Sequence, residues 1–394
     1  MTTVAEAAQV EDVLLNVLQG NVLWLLPSFL LEREHVDFAT ELISRIINIT
    51  SDESVGSPSA QDQSEANAEV MVPAAVYSKD IFEMLERHHL DLDGLRLSYL
   101  EKGTATAGAP SFVLLHGLMG SAETFQPLLA EMPSHWHVIA LDMPGSGLSE
   151  RRDDLAATMP ATAAFIERFL DALGLEKPCL IGHSHGGAVA LRLARTSPNR
   201  VRSLVLLGPA HPYFNEADQI IKFYLSLPGR IFAYTMPWYP QWFQMMGLRR
   251  MAGPQSWDTP ERLMPYRANL RIRGTMSHLL RLLGTWHEDM ADLRHLLRKP
   301  ITQSTLILWG DCDRAVPVRT AEKLRAHLRQ SELHVLPGVG HRPAEEQPEL
   351  TAGLIESWML RAEAAAHQQH YKPNSSASQS RIPAFMVPSL EAGD

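Results

Sequence analysis

The stretch Cys179-Leu180-Ile181-Gly182-His183-Ser184-His185-Gly186-Gly187-Ala188 constrains this chain more than any other, because an apolar run breaks on Gly-x-Ser-x-Gly and then resumes as a helix. A turn that sharp between strand and helix brings backbones together, and glycine at 182 and 186 leaves room for them. Ser184 must then adopt a strained conformation that presents its hydroxyl at the tip of the strand. A second apolar run, Leu204-Val205-Leu206-Leu207, follows after a helix-length segment, where the next buried parallel strand belongs.

Further runs of this kind end in loops rich in glycine and polar residues. Residues 112–115 lead into Leu115-His116-Gly117-Leu118-Met119-Gly120, and residues 138–141 into Asp142-Met143-Pro144-Gly145-Ser146-Gly147-Leu148-Ser149. Residues 305–309 deliver Gly310-Asp311-Cys312-Asp313, and residues 333–336 deliver Gly338-Val339-Gly340-His341. Ahead of them, alternation on both sides of Asp93-Gly94 writes a β-hairpin. The 142–149 turn lacks the G-x-G-x-x-G or Walker spacing, so it is not read as a phosphate loop.

In this order the motifs resemble the α/β-hydrolase superfamily, over residues 88–362. The resemblance implies an α/β fold with a mostly parallel eight-stranded sheet, helices on both faces and a helical cap. It also implies a Ser184, Asp313, His341 triad, whose chain order is the expected one, with Asp311 as the rival acid. The chemistry explains each role. A serine hydroxyl is a poor nucleophile until an imidazole takes its proton, and the imidazole needs a carboxylate to fix its tautomer. The backbone amides of Leu118 and His185 are implied as the oxyanion hole, with His116 tying down the first of these loops. Relatives that cleave epoxides or carbon–halogen bonds use aspartate at the elbow, so Ser184 argues against both reactions. The reading is a serine hydrolase that cleaves an ester-like bond of a hydrophobic acyl substrate through an acyl-enzyme. Thioesters and carbon–carbon bonds are the alternative targets, and a non-catalytic small-molecule or partner-binding role is the alternative of another class.

Residues 209–300 break the alternation and carry Trp238, Trp242, Trp257 and Trp286 with seven methionines, which suits a cap that lines an apolar pocket or merely adheres to the body. No cofactor or metal is indicated, since His88-His89 and the pair His183/His185 lack partners at ligand spacing. Two cysteines are too few for a disulfide framework and fit a reducing, cytoplasmic compartment.

The net charge of −10 belongs to the N-terminal extension: residues 1–75 hold 12 Asp/Glu against two Arg, and the rest carries 33 of each sign. Nucleic-acid binding is therefore not expected. Between Gln9 and Gly20 the polar residues Gln9, Asp12, Asn16 and Gln19 recur three or four apart, which predicts an amphipathic helix, and residues 35–48 predict a second. This helical hairpin, residues 1–49, is expected to form a homodimer or dock on the cap in preference to a membrane surface, because it is acidic and broken by Pro27. The remaining division is a flexible linker at 50–76, a hydrolase core at 77–208 and 301–366, the cap at 209–300 and a loose tail at 367–394.

Overall fold

The structure, a computed structural model, describes residues 9–10, 13–18, 22–27, 85–106, 110–214, 217–254 and 259–370. Three short strands come first: β1 (Gln9–Val10), β2 (Val13–Leu18) and β3 (Val22–Pro27). Then come β4 (Glu86–Leu92), β5 (Leu95–Lys102), β6 (Ser111–Leu115), β7 (His137–Asp142), β8 (Cys179–His183), β9 (Ser203–Leu207), β10 (Ser304–Gly310) and β11 (Ser331–Leu336).

The last eight form one sheet in the order β11-β10-β9-β8-β6-β7-β5-β4. All pairs from β6 to β11 are parallel, while β5 runs antiparallel to β7 and β4 to β5. The β4–β5 hairpin turns on Asp93 and Gly94 with φ of 54° and 74°, the left-handed pair that a two-residue connection needs.

A parallel sheet needs both faces covered, and the strands divide their side chains accordingly. Val113, Leu115, Leu180, Leu204, Leu206 and Trp309 point to one cluster, and Phe112, Leu114, Ile181, Val205, Leu207 and Leu308 to the other. Helices α2 (Met159–Ala172) and α3 (His185–Thr196) cover the first face. The second is covered by α1 (Gln126–Glu131) and α11 (Pro348–His370), through Leu128, Leu129, Ile355 and Trp358. Burying one such leucine contributes about 1.5–3 kcal/mol, so the sheet positions the loops at its carboxyl end firmly.

Between β9 and β10 the chain leaves the sheet as α4 (Ala217–Leu225), α5 (Leu227–Thr235), α6 (Gln241–Met251), α7 (Pro260–Arg271) and α8 (Thr275–Leu296). The second half of α8 returns to the body, where Trp286, Met290 and Leu293 join the sheet core. A small separate core of Met245, Leu248, Leu263 and Tyr266 seats the cap on Met119. Trp238 and Trp242 remain 69% and 38% exposed. Short helices α9 (Ala321–Arg325) and α10 (Pro343–Glu346) follow β10 and β11.

The N-terminal expectation is corrected. The segment read as a helix over residues 9–20 forms strands, with β2 antiparallel to β1 and β3, and β3 beside the cap helix α5. Val10, Val13, Leu14, Leu15, Val17 and Leu18 leave too little polar surface to define one helix face. The valines favour extended backbone, and Gly20-Asn21 supplies a turn before the next apolar run. The second expected helix, at 35–48, and the linker at 50–76 lie outside the described residues. At the other end α11 continues to His370, so helix replaces the first residues of the expected loose tail. Among the described residues no helix is long and apolar enough to cross a membrane.

Candidate active site

Ser184 follows β8 with φ 50° and ψ −117°, a left-handed conformation that a side chain rarely takes. Its neighbours make that conformation compulsory. A Cβ on residue 182 would lie 2.6 Å from the Gly186 carbonyl oxygen, and one on residue 186 only 2.1 Å from that of Leu115. The elbow is pinned where the Ser184 amide donates to Leu207 O at 3.1 Å and Ser184 O accepts from the Ala210 amide at 2.9 Å.

The loops after β10 and β11 bring Asp313 and His341 to this serine. The Ser184 hydroxyl donates to His341 Nε2 at 2.9 Å, and His341 Nδ1 donates to Asp313 Oδ2 at 2.9 Å. Asp313 uses its other oxygen to accept from the Ala315 and Val316 amides at 2.9 and 2.8 Å, and its side chain is fully buried. The carboxylate can thus take only one orientation, and it faces the imidazole. Asp311, the rival acid, instead accepts from the Gly338 amide at 2.8 Å and stays exposed.

Two residues support His341: Glu346, which carried no signal in the sequence, and His183, which the sequence offered only as a metal ligand without partners. Glu346 accepts from the Gly340 and Gly253 amides at 2.7 and 2.8 Å and from the Arg342 amide at 3.0 Å, which clamps the histidine loop to the end of α6. His183 donates from Nε2 to the His341 carbonyl at 2.9 Å, and burial holds its pKa well below the usual histidine value, so it stays neutral.

On the other side of Ser184, α3 begins at His185 with its amides pointing back at the serine. The Leu118 amide lies in the loop after β6. Among the described residues neither the Leu118 nor the His185 amide is hydrogen-bonded to a backbone acceptor. His116 shapes that loop as expected, with Nδ1 donating to Gly117 O at 2.8 Å and Nε2 accepting from the Met143 amide at 3.1 Å. The cap also reaches it: Asn269 of α7 donates to the Met119 and Gly120 carbonyls, both at 2.8 Å, and accepts from the Gly147 amide at 2.8 Å. Nothing in the sequence singled out Asn269.

Burial pushes the Cys179 thiol up to about 12, so it is an inert packing group. Among the described residues no cluster of three or more His, Cys, Asp or Glu could hold a metal ion.

A family model for the alpha/beta hydrolase fold matches residues 110–348. The chain belongs to the alpha/beta hydrolase fold family. It is a hydrolase with esterases among its relatives. This hydrolase is 30% identical over 249 residues to the pimeloyl-(acyl-carrier protein) methyl ester esterase of Neisseria meningitidis, covering 62% of this chain and 92% of that protein. It is 29% identical over 253 residues to the 2-hydroxy-6-oxo-2,4-heptadienoate hydrolase of Pseudomonas putida, 61% of this chain and 85% of that one. A solved structure of a putative lipase from Acinetobacter baumannii superposes with a TM-score of 0.59 at 22% identity, covering 80% of this chain and 99% of that chain, which shows the shared fold.

Proposed function

We propose that this hydrolase cleaves an ester-like bond of a hydrophobic acyl substrate through an acyl-enzyme on Ser184. The observation that carries the reading is the continuous relay from Ser184 Oγ through His341 to Asp313, with 2.9 Å at both links. His341 Nε2 takes the hydroxyl proton as Oγ attacks the carbonyl carbon. The oxyanion that forms meets the Leu118 and His185 amides and the positive end of α3. His341 then passes its proton to the leaving oxygen as the carbon–oxygen bond breaks. A water repeats the sequence on the acyl-enzyme, releasing the acid and restoring Ser184. Asp313 keeps Nδ1 protonated throughout and stabilises the imidazolium.

A second reading keeps the triad and changes the bond. The likeness to the Pseudomonas putida enzyme favours carbon–carbon hydrolysis next to a ketone, where the leaving group is a carbanion-like carbon instead of an alkoxide. Covalent labelling by a fluorophosphonate probe tests the shared nucleophile. Turnover of p-nitrophenyl esters, acyl-CoAs and a vinylogous diketone by the same preparation ranks the bonds. Failure of the probe to label the native protein, with labelling of a known serine hydrolase alongside, would overturn the reading.

A further inference from the structure

Beside the elbow lies a narrow crevice bounded by Leu118, His185, Ser146, Thr162, Asn269 and His278. It adjoins both residues whose amides face the oxyanion, yet neither Ser184 nor His341 lines it. The leaving group must sit next to His341, which protonates it. The crevice, on the oxyanion side, therefore lies along the acyl half of the substrate.

Its wall contains two imidazoles without work. His278, in the first turn of α8, is 3% exposed, and its Nδ1 is buried with no hydrogen-bond partner. A Cβ on residue 145 would lie 2.3 Å from His278 Cδ2, so glycine there lets the ring seat against the loop after β7. His185 is 4% exposed, and its ring contact is with Trp286 at 6.2 Å between centroids. Burial, helped by the charges of Arg281 and Arg151 at His278, brings both side chains down to about 4. Each is thus a neutral ring with one N–H to give and one lone pair.

A buried polar atom without a partner costs about 1–3 kcal/mol, and of the described residues that carry such an atom His278 is the one that lines the crevice. The charges nearby say what kind of partner it would take. Arg151 makes the local potential positive, which suits an oxygen acceptor. Its nitrogens are already committed, however, to Thr275 Oγ1, the Ser149 and Gly147 carbonyls and Asn269 Oδ1. Arg281 donates from its two terminal nitrogens to the carbonyls of Asp153, Leu155 and Arg152, and its buried Nε is left without a partner. Neither guanidinium offers the pair of free N–H groups that a carboxylate would take, so the fitting group is a neutral oxygen.

We propose that His278 and His185 form a subsite for a second, neutral carbonyl oxygen on the acyl chain, which makes this a hydrolase selective for oxo-acyl substrates. The proposal rests on the serine hydrolase reading above and narrows its substrate class. The test compares kcat/KM of the full chain for p-nitrophenyl 4-oxopentanoate and 5-oxohexanoate against the pentanoate and hexanoate of equal length. The wild type is expected to favour at least one oxo ester by about tenfold or more, as sites built to pair a substrate oxygen do. His278→Phe is expected to bring that ratio near one, and His278→Gln, which restores a donor, to recover part of it. Fluorophosphonate labelling and thermal melting of each variant separate a lost subsite from a lost fold. A wild-type ratio near one for both chain lengths, or a ratio that His278→Phe and His278→Gln leave unchanged, overturns the subsite and leaves a crevice that holds water only. In either case, plain ester turnover and labelling in the wild type would leave the hydrolase reading standing.

Discussion

At the carboxyl end of the sheet the candidate serine and acid are fixed by main-chain contacts, whereas across the crevice the cap contributes one side chain that ties loops together and one that has an unpartnered nitrogen. Ser184 is strained into place by the contacts of Gly182 and Gly186, and Asp313 is aimed by two main-chain amides. The cap reaches the site through Asn269 and His278, one a clamp on loop carbonyls and the other without a partner. The difference separates chemistry from choice. A relay must hold its geometry through each turnover, so it belongs on the rigid sheet, while selection of a substrate can vary on an insertion without disturbing the relay.

If that division is right, the largest losses come from the sheet side and touch activity without touching stability. Ser184→Ala is expected to cost a thousandfold or more in kcat, with about a millionfold as the extreme for such serine removals. Alanine needs no new space at the elbow, so thermal melting should match wild type. Near-normal turnover in cleanly purified variant would break the comparison at its root.

Asp313→Asn comes next. The amide would still accept from the Ala315 and Val316 amides, but it would favour the wrong tautomer of His341, and such a change costs up to about four decades in kcat. Asp311→Asn, which touches the Gly338 amide and the Cys312 thiol and not the imidazole, should stay within about threefold. Steady-state kinetics on the pair decides it: the reverse ranking would move the acid to Asp311.

How much of this was legible in the sequence follows the same line. The elbow could be read because a strained serine forces glycine two positions to either side, and the order of the strand-ending motifs could be read because parallel strands buried on both faces are runs of apolar residues. Asn269, Glu346 and His278 could not. Asn269 and Glu346 act through contacts 4 to 150 positions away along the chain, and no local pattern distinguishes a buried polar residue such as these or His278 from a solvated one. The N-terminal segment failed for another reason: its polar residues fall at helical spacing, yet the run between them is apolar almost throughout, and such a run serves a strand equally well. The tryptophans of the cap were suggestive by type, but among the described residues only Trp286 reaches the crevice wall, through His185, while Trp238 and Trp242 are largely exposed.

On the cap side the effects should be smaller and mixed. Asn269→Ala removes the bonds to the Met119 and Gly120 carbonyls and to the Gly147 amide. It is expected to cost about 1–3 kcal/mol of stability, because those buried groups lose their partner. The loop that carries Leu118 would loosen as well, so kcat is expected to fall about tenfold while KM moves less. Urea unfolding and initial rates on one p-nitrophenyl ester measure both. A variant that loses stability with kcat unchanged would confine Asn269 to packing and sharpen the boundary between the two regions.

The smallest effect lies where cap and body meet and shows only as a dependence on pH. Glu345 of α10 is buried beneath the cap, accepts the Tyr266 hydroxyl, and is pushed by burial up to about 7 despite the nearby Arg342 charge. Unfolded, the same carboxyl titrates near 4.5. From about pH 4.5 to 7 the folded protein therefore holds a proton that the unfolded chain has released. Stability must fall as pH rises through that window, by an amount on the order of 1–3 kcal/mol, the opposite of the usual paired carboxylate. Glutamine resembles the protonated acid and does not titrate. Glu345→Gln is thus expected to gain on wild type between pH 5 and about pH 7 and to level off by pH 8, whatever its offset at pH 5, with the buried histidines contributing equally to both proteins and cancelling. Unfolding midpoints of the two proteins at pH 5, 6, 7 and 8 measure that difference. A constant gap would mean that Glu345 is ionised in the folded state throughout, with its charge met by Arg342, and that the joint beneath the cap is an ion pair and not a neutral hydrogen bond.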